Sequence, residues 1–273
     1  MRKISTDEIN KQVYNLCAKA NFELDEDILC KFKENAGNEV IADLARNAEL
    51  ASKNKVAICQ DTGFVLVFIE LGQEVNLEGG DLKQAVNEGV AKAYEDCYLR
   101  KSVLNDPLQR KNTGNNTPAI FYTDIVPGDK VKITVVPKGG GSENKSALKM
   151  LTPADGKDGV VSFVLDTVKK AGADACPPYV IGVGIGGTFD HVGLLAKKAL
   201  LRKLGQAHQD KETAELEEVL LAKINGLNIG PAGFGGSPTA LAVQIETFPC
   251  HIASLPVAVN IGCHVNRHAS AII

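Results

Sequence analysis

The chain centres on a short polar turn between two apolar runs, Val56-Ala57-Ile58-Cys59-Gln60-Asp61-Thr62-Gly63-Phe64-Val65-Leu66-Val67-Phe68-Ile69-Glu70-Leu71. Short apolar runs bounded by turn residues are typical of buried strands. We therefore expect a short strand over residues 56–58 and a longer one over residues 64–71. Gly63 permits a sharp reversal, so the four polar side chains before it can converge. The alternative is an ordinary Asp-Thr-Gly turn beside a buried cysteine.

Hydrophobic periodicity and turn residues predict the elements on either side of this turn. Helices are predicted from the capping box at residues 5–8 onward, from about residue 25, through residues 40–48, and over residues 81–99, 159–170, 190–204 and 211–225. Strands are predicted over residues 119–122, 131–136 and 179–181, with short strands in the last fifty residues. These elements predict a mixed α/β (α+β) fold, a single large domain over residues 1–273 with short sheets flanked by helices.

Composition excludes several functional classes. The 273 residues include 30 Lys and Arg against 33 Asp and Glu, a net charge of −3, so the basic surplus typical of a nucleic-acid binder is missing. No apolar run reaches the roughly 18 residues that a membrane span needs. The N-terminal residues lack the apolar core of a signal peptide. We therefore expect a cytoplasmic protein that binds neither nucleic acid nor membrane.

Four of the seven cysteines lie in turn-like sequence. Cys17, Cys30 and Cys97 lie in helix-like stretches, where a cysteine is most often a small buried side chain. Cys59, Cys176, Cys250 and Cys263 lie beside Gly, Pro, Asp or His instead. Because loops carry chemistry more often than helix interiors do, these four are the candidates for a functional site. The absence of a Cys-x-x-Cys pair argues against a zinc ribbon.

Three glycine-rich segments could bring backbone N–H groups close to an anion. They are Gly139-Gly140-Gly141-Ser142, the segment Gly182-Val183-Gly184-Ile185-Gly186-Gly187, and Gly233-Phe234-Gly235-Gly236-Ser237. The second matches the spacing of a dinucleotide fingerprint and is expected to form a loop after a strand. The nearest candidate ribose acid, Asp210, lies beyond a helix rather than on a second strand. A non-catalytic nucleotide-binding or scaffolding subunit is therefore the alternative from another functional class.

Taken together, these segments resemble the class I, iron–sulfur-dependent fumarase and tartrate dehydratase family over nearly the whole chain. The resemblance is carried by Ile58-Cys59-Gln60-Asp61-Thr62-Gly63, Arg110-Lys111-Asn112-Thr113-Gly114-Asn115-Asn116-Thr117-Pro118, Lys138-Gly139-Gly140-Gly141-Ser142-Glu143-Asn144, Cys176-Pro177-Pro178, the glycines from Gly182 to Gly187, and Gly233-Phe234-Gly235-Gly236 through Cys263. The order and spacing of these pieces make a chance similarity improbable.

The resemblance implies a [4Fe-4S] cluster held by three cysteines, at positions matching Cys59, Cys176 and Cys263. A cluster with four cysteine ligands is saturated and generally transfers electrons. Three ligands leave one iron open to act as a Lewis acid. We therefore expect these distant cysteines to converge around one cluster in a set of Gly-rich loops.

The resemblance also implies the other site residues. Substrate binding is expected from Gln60, Asp61, Thr62, Gly63, Arg100 and Gly141. Asp61 and His251 are the catalytic candidates, Asp61 because it closely follows Cys59, and His251 because it aligns with a family active-site histidine. The apolar stretch between His251 and Cys263 is expected to return the chain to the same site. The structural alternatives are that Asp61 only caps a turn, that His251 is a hydrogen-bonded histidine of the core, and that Arg100 lies at a solvated helix end.

The chain matches only the α part of the family, which implies a β subunit that completes the active site and an α2β2-type heteromer. The expected reaction is a reversible hydration or dehydration of a C4 dicarboxylate. Fumarate and malate are the first choice, L(+)-tartrate and oxaloacetate the second, and mesaconate the third. The base that removes the carbon-bound proton is expected on the β subunit.

Overall fold

The computed structural model describes residues 1–273, and it confirms the mixed α/β class with short sheets. In chain order the elements are β1 (Arg2–Ser5), α1 (Thr6–Phe22), α2 (Glu26–Glu34), α3 (Glu39–Asn54), β2 (Phe64–Gly72), β3 (Val75–Glu78), α4 (Leu82–Asp96), β4 (Ile120–Val126), β5 (Val131–Lys138), α5 (Gly140–Glu143), β6 (Ala147–Leu151), α6 (Gly156–Ala171), β7 (Tyr179–Gly186), α7 (Phe189–Ala199), α8 (Lys211–Asn225), β8 (Ala240–Phe248), β9 (Leu255–Gly262) and β10 (Ala269–Ile272). None of these helices is long and apolar enough to cross a membrane.

Residue contacts divide the chain into two compact units. The first consists of Met1–Asp25, Arg46–Gly140 and Arg267–Ile273. The second consists of Glu26–Ala45 and Gly141–Asn266. Helix α3 contributes residues to both units.

The first unit is built on a four-stranded sheet with the order β10-β5-β2-β4, beside a two-stranded parallel pair of β1 and β3. Strand β2 is parallel to β4 and antiparallel to β5. The strands joined by the Pro127-Gly128-Asp129 turn are therefore not paired with each other, because β2 lies between them. Helices α1 and α4 pack on this sheet through one core that includes Val13, Val67, Val90 and Ile133.

The two helices of this core begin at side chains that satisfy free backbone N–H groups. The Ser5 hydroxyl accepts a hydrogen bond from the Asp7 N–H at 3.1 Å. The Asp81 carboxylate accepts one from the Gln84 N–H at 2.7 Å. Such N-caps contribute about 1 kcal/mol each to helix stability, which explains why the predicted helix starts are confirmed.

The second unit is a sheet with the order β6-β9-β7-β8, covered by helices on both faces. Strand β7 is parallel to β8 and antiparallel to β9. One face packs against α6 and α8 through a core that includes Val164, Leu220, Ile181 and Val259. The other face packs against α7, where Val192 and Ala196 contact Ala258.

Two sequence predictions about local structure are wrong. Residues 56–58 form no strand, because groups on helices α1 and α3 bind the Ile58 backbone: the Ile58 N–H donates to Asn21 O at 2.9 Å, and Asn47 donates to Ile58 O at 2.9 Å. The segment that begins at Gly139, counted above among the Gly-rich loops, contains the short helix α5.

The fingerprint glycines are also not a loop, since β7 continues to Gly186. A Cβ at Gly182 would lie 2.2 Å from Ala196 O, and one at Gly184 would lie 2.3 Å from Val192 O. These glycines let helix α7 approach the strand closely. Their backbone is paired with β8 and β9, so the structure removes the basis of the nucleotide-binding alternative.

Candidate active site

The polar turn at residues 59–63 holds Cys59 and Asp61 next to each other in the first unit. Cys59 is half-buried, and its Sγ accepts a hydrogen bond from the Asp61 N–H at 3.4 Å. The Cys59 thiol also lies 3.4 Å from the side-chain oxygen of Gln60, which is exposed. A cysteine binds metal through its sulfur, as the thiolate.

Buried hydrogen bonds fix the two residues that end this turn. Tyr94 is fully buried, and its hydroxyl donates to Thr62 O at 2.5 Å and lies 3.3 Å from Gly63 O. Asn116, which is also fully buried, donates to Gly63 O at 3.2 Å. Burial raises the pKa of Tyr94 above its ordinary value, so its hydroxyl remains a donor.

Thr62 connects the turn to Arg100. The Thr62 side chain is buried, and its hydroxyl donates to Arg100 O at 2.6 Å. The Arg100 side chain is exposed just beyond helix α4. This places one guanidinium and one carboxylate, that of Asp61, on neighbouring segments of the first unit.

Arg267 holds the main chain of Asp61. Its guanidinium is 4% exposed and donates to Asp61 O through Nη2 and to Pro137 O through Nε at 3.3 Å. A buried guanidinium with two carbonyl acceptors fixes both segments relative to each other. The sequence analysis assigned Arg267 no role.

The Asp61 carboxylate lies directly against Gly139. A Cβ built on Gly139 would come within 3.0 Å of Asp61 Oδ2 and 3.2 Å of Asp61 Cγ. That is tighter than nine in ten real Cβ contacts, so a side chain at this position would shift the carboxylate by a few tenths of an ångström. The first glycine of the triple-glycine segment therefore makes room for Asp61.

In the second unit, Cys176 and Cys263 lie at the same end of the sheet. Cys176 comes three residues before β7, and Cys263 directly follows β9. Because these strands are antiparallel, with Val180 opposite Gly262, both cysteines fall at one end. Burial raises the pKa of Tyr179, and the charges of the nearby Cys176 and Cys263 raise it further.

The Cys176 backbone is held in an uncommon conformation at this end. Its φ is +55°, and its carbonyl accepts the His264 N–H at 3.1 Å. The Gly-rich segment after α8 packs alongside, since the Ala232 N–H donates to Pro177 O at 2.8 Å. A left-handed conformation at a non-glycine residue costs free energy and is often found at functional sites.

A side-chain network anchors the end of the triple-glycine segment to the second unit. Glu143 accepts a hydrogen bond from Asn260 at 2.9 Å and also pairs with Lys197. Asn260 is nearly fully buried on β9. The predicted substrate-binding residue Gly141, two residues earlier, is exposed. Sequence reasoning quoted Glu143 in the family motif but assigned it no role.

His251 does not lie beside Cys263, which corrects the expectation that the intervening stretch returns the chain to one site. All eight residues of β9 separate the two, and a strand rises about 3.3 Å per residue, so they are roughly 25 Å apart. His251 is exposed in a turn at the far end of the sheet, where its Nδ1 accepts the Ala253 N–H at 3.2 Å.

The thiols match the donor chemistry of an iron–sulfur cluster. No group of three or more His, Cys, Asp or Glu side chains surrounds a single metal-ion position. Iron–sulfur clusters are bound by cysteine thiolates instead. Cys176 and Cys263 offer two thiols at one sheet end, Cys59 offers a third with an N–H directed at its sulfur, and no disulfide joins any of the seven cysteines. These residues therefore fit such a group by donor type.

Comparison with known proteins identifies the family. The sequence model described as fumarate hydratase (Fumerase) matches residues 10–272. A protein of Methanocaldococcus jannaschii that carries the provisional name L(+)-tartrate dehydratase subunit alpha is 48% identical over 232 residues, which cover 83% of this chain and 81% of that protein. The L(+)-tartrate dehydratase subunit alpha of Escherichia coli O157:H7 is 32% identical over 283 residues, with 98% and 92% covered. With a match over nearly its whole length, the chain belongs to the fumarate hydratase (Fumerase) family of hydro-lyases.

Proposed function

We propose that this chain is the α subunit of a [4Fe-4S]-dependent hydro-lyase that interconverts fumarate and malate. The observation that carries the proposal is the placement of Cys176 and Cys263 at one end of one sheet, since both match cluster ligands of the family. Cys59, which stands in the polar turn of the first unit, is the third proposed ligand. The family is generally iron–sulfur dependent, which is consistent with this donor set.

When bound, the cluster supplies an open iron position that acts as a Lewis acid toward a substrate hydroxyl. The chain's own residues bind and orient the substrate. Arg100 presents an exposed guanidinium that can bind a carboxylate with two hydrogen bonds. The exposed Gln60 amide and the Gly141 backbone are further groups that can bind substrate oxygens.

Asp61 is the proposed proton-handling residue of this chain. Its carboxylate is half-buried, it is confined by Gly139, and its main chain is held by Arg267. A carboxylate fixed in this way can accept or donate a proton at Oδ2 without first reorganising. We assign no proton step to His251 within one chain, because β9 carries it to the other end of the sheet.

A β subunit is proposed to complete the site, since the relatives from Methanocaldococcus jannaschii and Escherichia coli are named as alpha subunits. The two chains are expected to form an α2β2-type heteromer. The partner is expected to supply groups for the second carboxylate and the base for the carbon-bound proton. The α chain alone is then expected to hold the cluster without significant turnover.

L(+)-tartrate is the second candidate substrate, favoured by the names of the relatives from Methanocaldococcus jannaschii and Escherichia coli. Mesaconate is the third. The test is anaerobic reconstitution of the chain with a co-expressed β-type partner, followed by rates with fumarate, L(+)-tartrate and mesaconate. Faster conversion of tartrate than fumarate would move the assignment to tartrate dehydratase. A reconstituted protein without iron and sulfide would contradict the proposal altogether.

Each proposed ligand has a direct test. Replacing Cys59, Cys176 or Cys263 with Ala is expected to abolish the visible absorption of the cluster and the bound iron. Cys17, which is fully buried in the core of the first unit, is the matched control. Its replacement with Ala is expected to leave the iron content unchanged. Retention of a full cluster in all three ligand variants would refute the assignment.

A further inference from the structure

We propose that the second unit carries a separate ligand site at the open edge of strand β8. The site takes a small planar ligand that presents an N–H donor directly beside an acceptor. Carboxamides and adenine-type nucleobases share this edge. The site uses none of the residues assigned to the hydro-lyase reaction.

The site is a cavity of about 210 Å³ between strand β8, helix α8 and the loop that follows α7. Its lining comes from the second unit alone and combines the apolar side chains of Ala214, Leu221 and Leu241 with the polar groups of Arg202 and Gln244. At roughly 30 Å³ for each water molecule, this volume corresponds to about seven waters. It is smaller than the pockets of drug-sized ligands, so it suits one ring or a fused pair of rings.

The strand offers a donor and an acceptor at this edge. The Ile245 N–H donates to Glu217 at 2.7 Å, and its C=O accepts from Arg202 at 3.2 Å, so the backbone of Ile245 faces away from β7. In a parallel ladder, residues two apart face the same side. The N–H and C=O of Val243, which lines the cavity, therefore point outward without a neighbouring strand.

The open part of the edge is short. At one end, Asn225 accepts the N–H groups of Thr239 and Ala240 at 2.8 and 2.9 Å. At the other end, the buried Arg202–Glu217 pair occupies the edge groups of Ile245. Four residues remain between them, or roughly 13 Å of strand. This length leaves room for a small molecule.

Two residues that line the cavity each carry a buried polar atom without a hydrogen-bond partner. Gln244 is 2% exposed, and its Nε2 donates to Arg202 O at 2.6 Å. This arrangement leaves the Gln244 Oε1 without a partner, and the Arg202 Nε also has none. Burying a polar atom without a hydrogen bond costs free energy. Small shifts of these side chains would let them flank a ligand held by Val243.

The test is a titration of the full chain with adenine and with nicotinamide, followed by calorimetry and ligand-observed NMR. We expect saturable binding of one molecule per chain. Ala214→Met adds a side chain inside the cavity and is expected to weaken binding at least tenfold. Ala222→Met, on the exposed side of the same helix, is the matched control and should bind as the wild type does. Gln244→Leu should also weaken binding at least tenfold.

Adenine and nicotinamide distinguish the two ligand classes that present a donor beside an acceptor. Binding of adenine alone would assign the site to a nucleobase, and binding of nicotinamide alone would assign it to a carboxamide. No binding of either probe at millimolar concentration would overturn the proposal, since the cavity would then hold only water. Binding that Ala214→Met leaves unchanged would overturn it as well, whether or not the Gln244 variant folds.

Discussion

Gly63→Ala tests whether the polar turn depends on a close backbone approach. Gly63 has a φ of +81°, and a Cβ there would lie 2.7 Å from Lys138 N and 2.8 Å from Lys138 C and O. The left-handed conformation costs a non-glycine residue about 1–2 kcal/mol. The clash is with backbone, which cannot rotate away, and overpacking of this kind costs about 1–3 kcal/mol. We therefore expect a total loss of about 2–5 kcal/mol in the free energy of unfolding.

Gly114→Ala separates these two contributions. Gly114 has nearly the same φ, +80°, but a Cβ there would have no neighbour within 4 Å. It should lose only the conformational part, about 1–2 kcal/mol. Denaturant unfolding of both variants, monitored by circular dichroism, measures the difference. If Gly63→Ala is no less stable than Gly114→Ala, the close approach of the turn to Lys138 does not constrain the fold.

Three further predictions concern the same site. Gly139→Ala should displace the Asp61 carboxylate and lower kcat at least tenfold with the iron content unchanged. Gly193→Ala is the control, since a Cβ there meets nothing within 4 Å, and it should leave kcat unchanged. Equal rates for the two variants would show that catalysis does not depend on the position in which Gly139 holds the Asp61 carboxylate. Tyr94→Phe removes the buried hydroxyl that donates to Thr62 O and should cost about 1–3 kcal/mol of stability in denaturant unfolding; an unchanged midpoint would contradict it. Arg267→Met should lower kcat, and it should also lower the amount of bound iron because it loosens the turn that carries Cys59. Arg202→Met is the control and should leave the bound iron unchanged. If the iron content is unchanged in both variants, Arg267 has only a role in packing.

Sequence patterns predicted the helices because the information that defines them is local. The pattern at Lys211–Asn225 gave both ends of α8, since Asp210 supplies the N-cap and apolar residues recur at helical spacing. The pairing of strands could not be predicted in the same way. Strand β2 lies between β4 and β5 although those two strands are consecutive in the chain, because pairing depends on contacts between distant segments.

The site could be predicted as a set of residues but not as a geometry. The family motifs identified Cys176 and Cys263, and the antiparallel register of β7 and β9 brings them to one end. The length of β9 explains why the stretch after His251 does not return the chain to the same end as Cys263. A residue before an antiparallel strand and one after it lie at opposite ends, whatever their separation in sequence. Arg267 and Tyr94 went unassigned because their roles depend on distant backbone carbonyls that no local pattern reveals.

The glycine-rich segments show why composition alone misled the functional interpretation. Glycine runs allow two different things, an exposed loop that binds anions and a close approach of packed backbone. Gly182 and Gly184 serve the second purpose, since helix α7 occupies the space of their missing side chains. Gly139 serves it too, but there the neighbour is the Asp61 carboxylate. Glycine thus permits a helix–sheet contact in the second unit and a closely packed carboxylate in the first unit. The glycine itself does not show whether its role is structural or catalytic, because that depends on which atom lies against it.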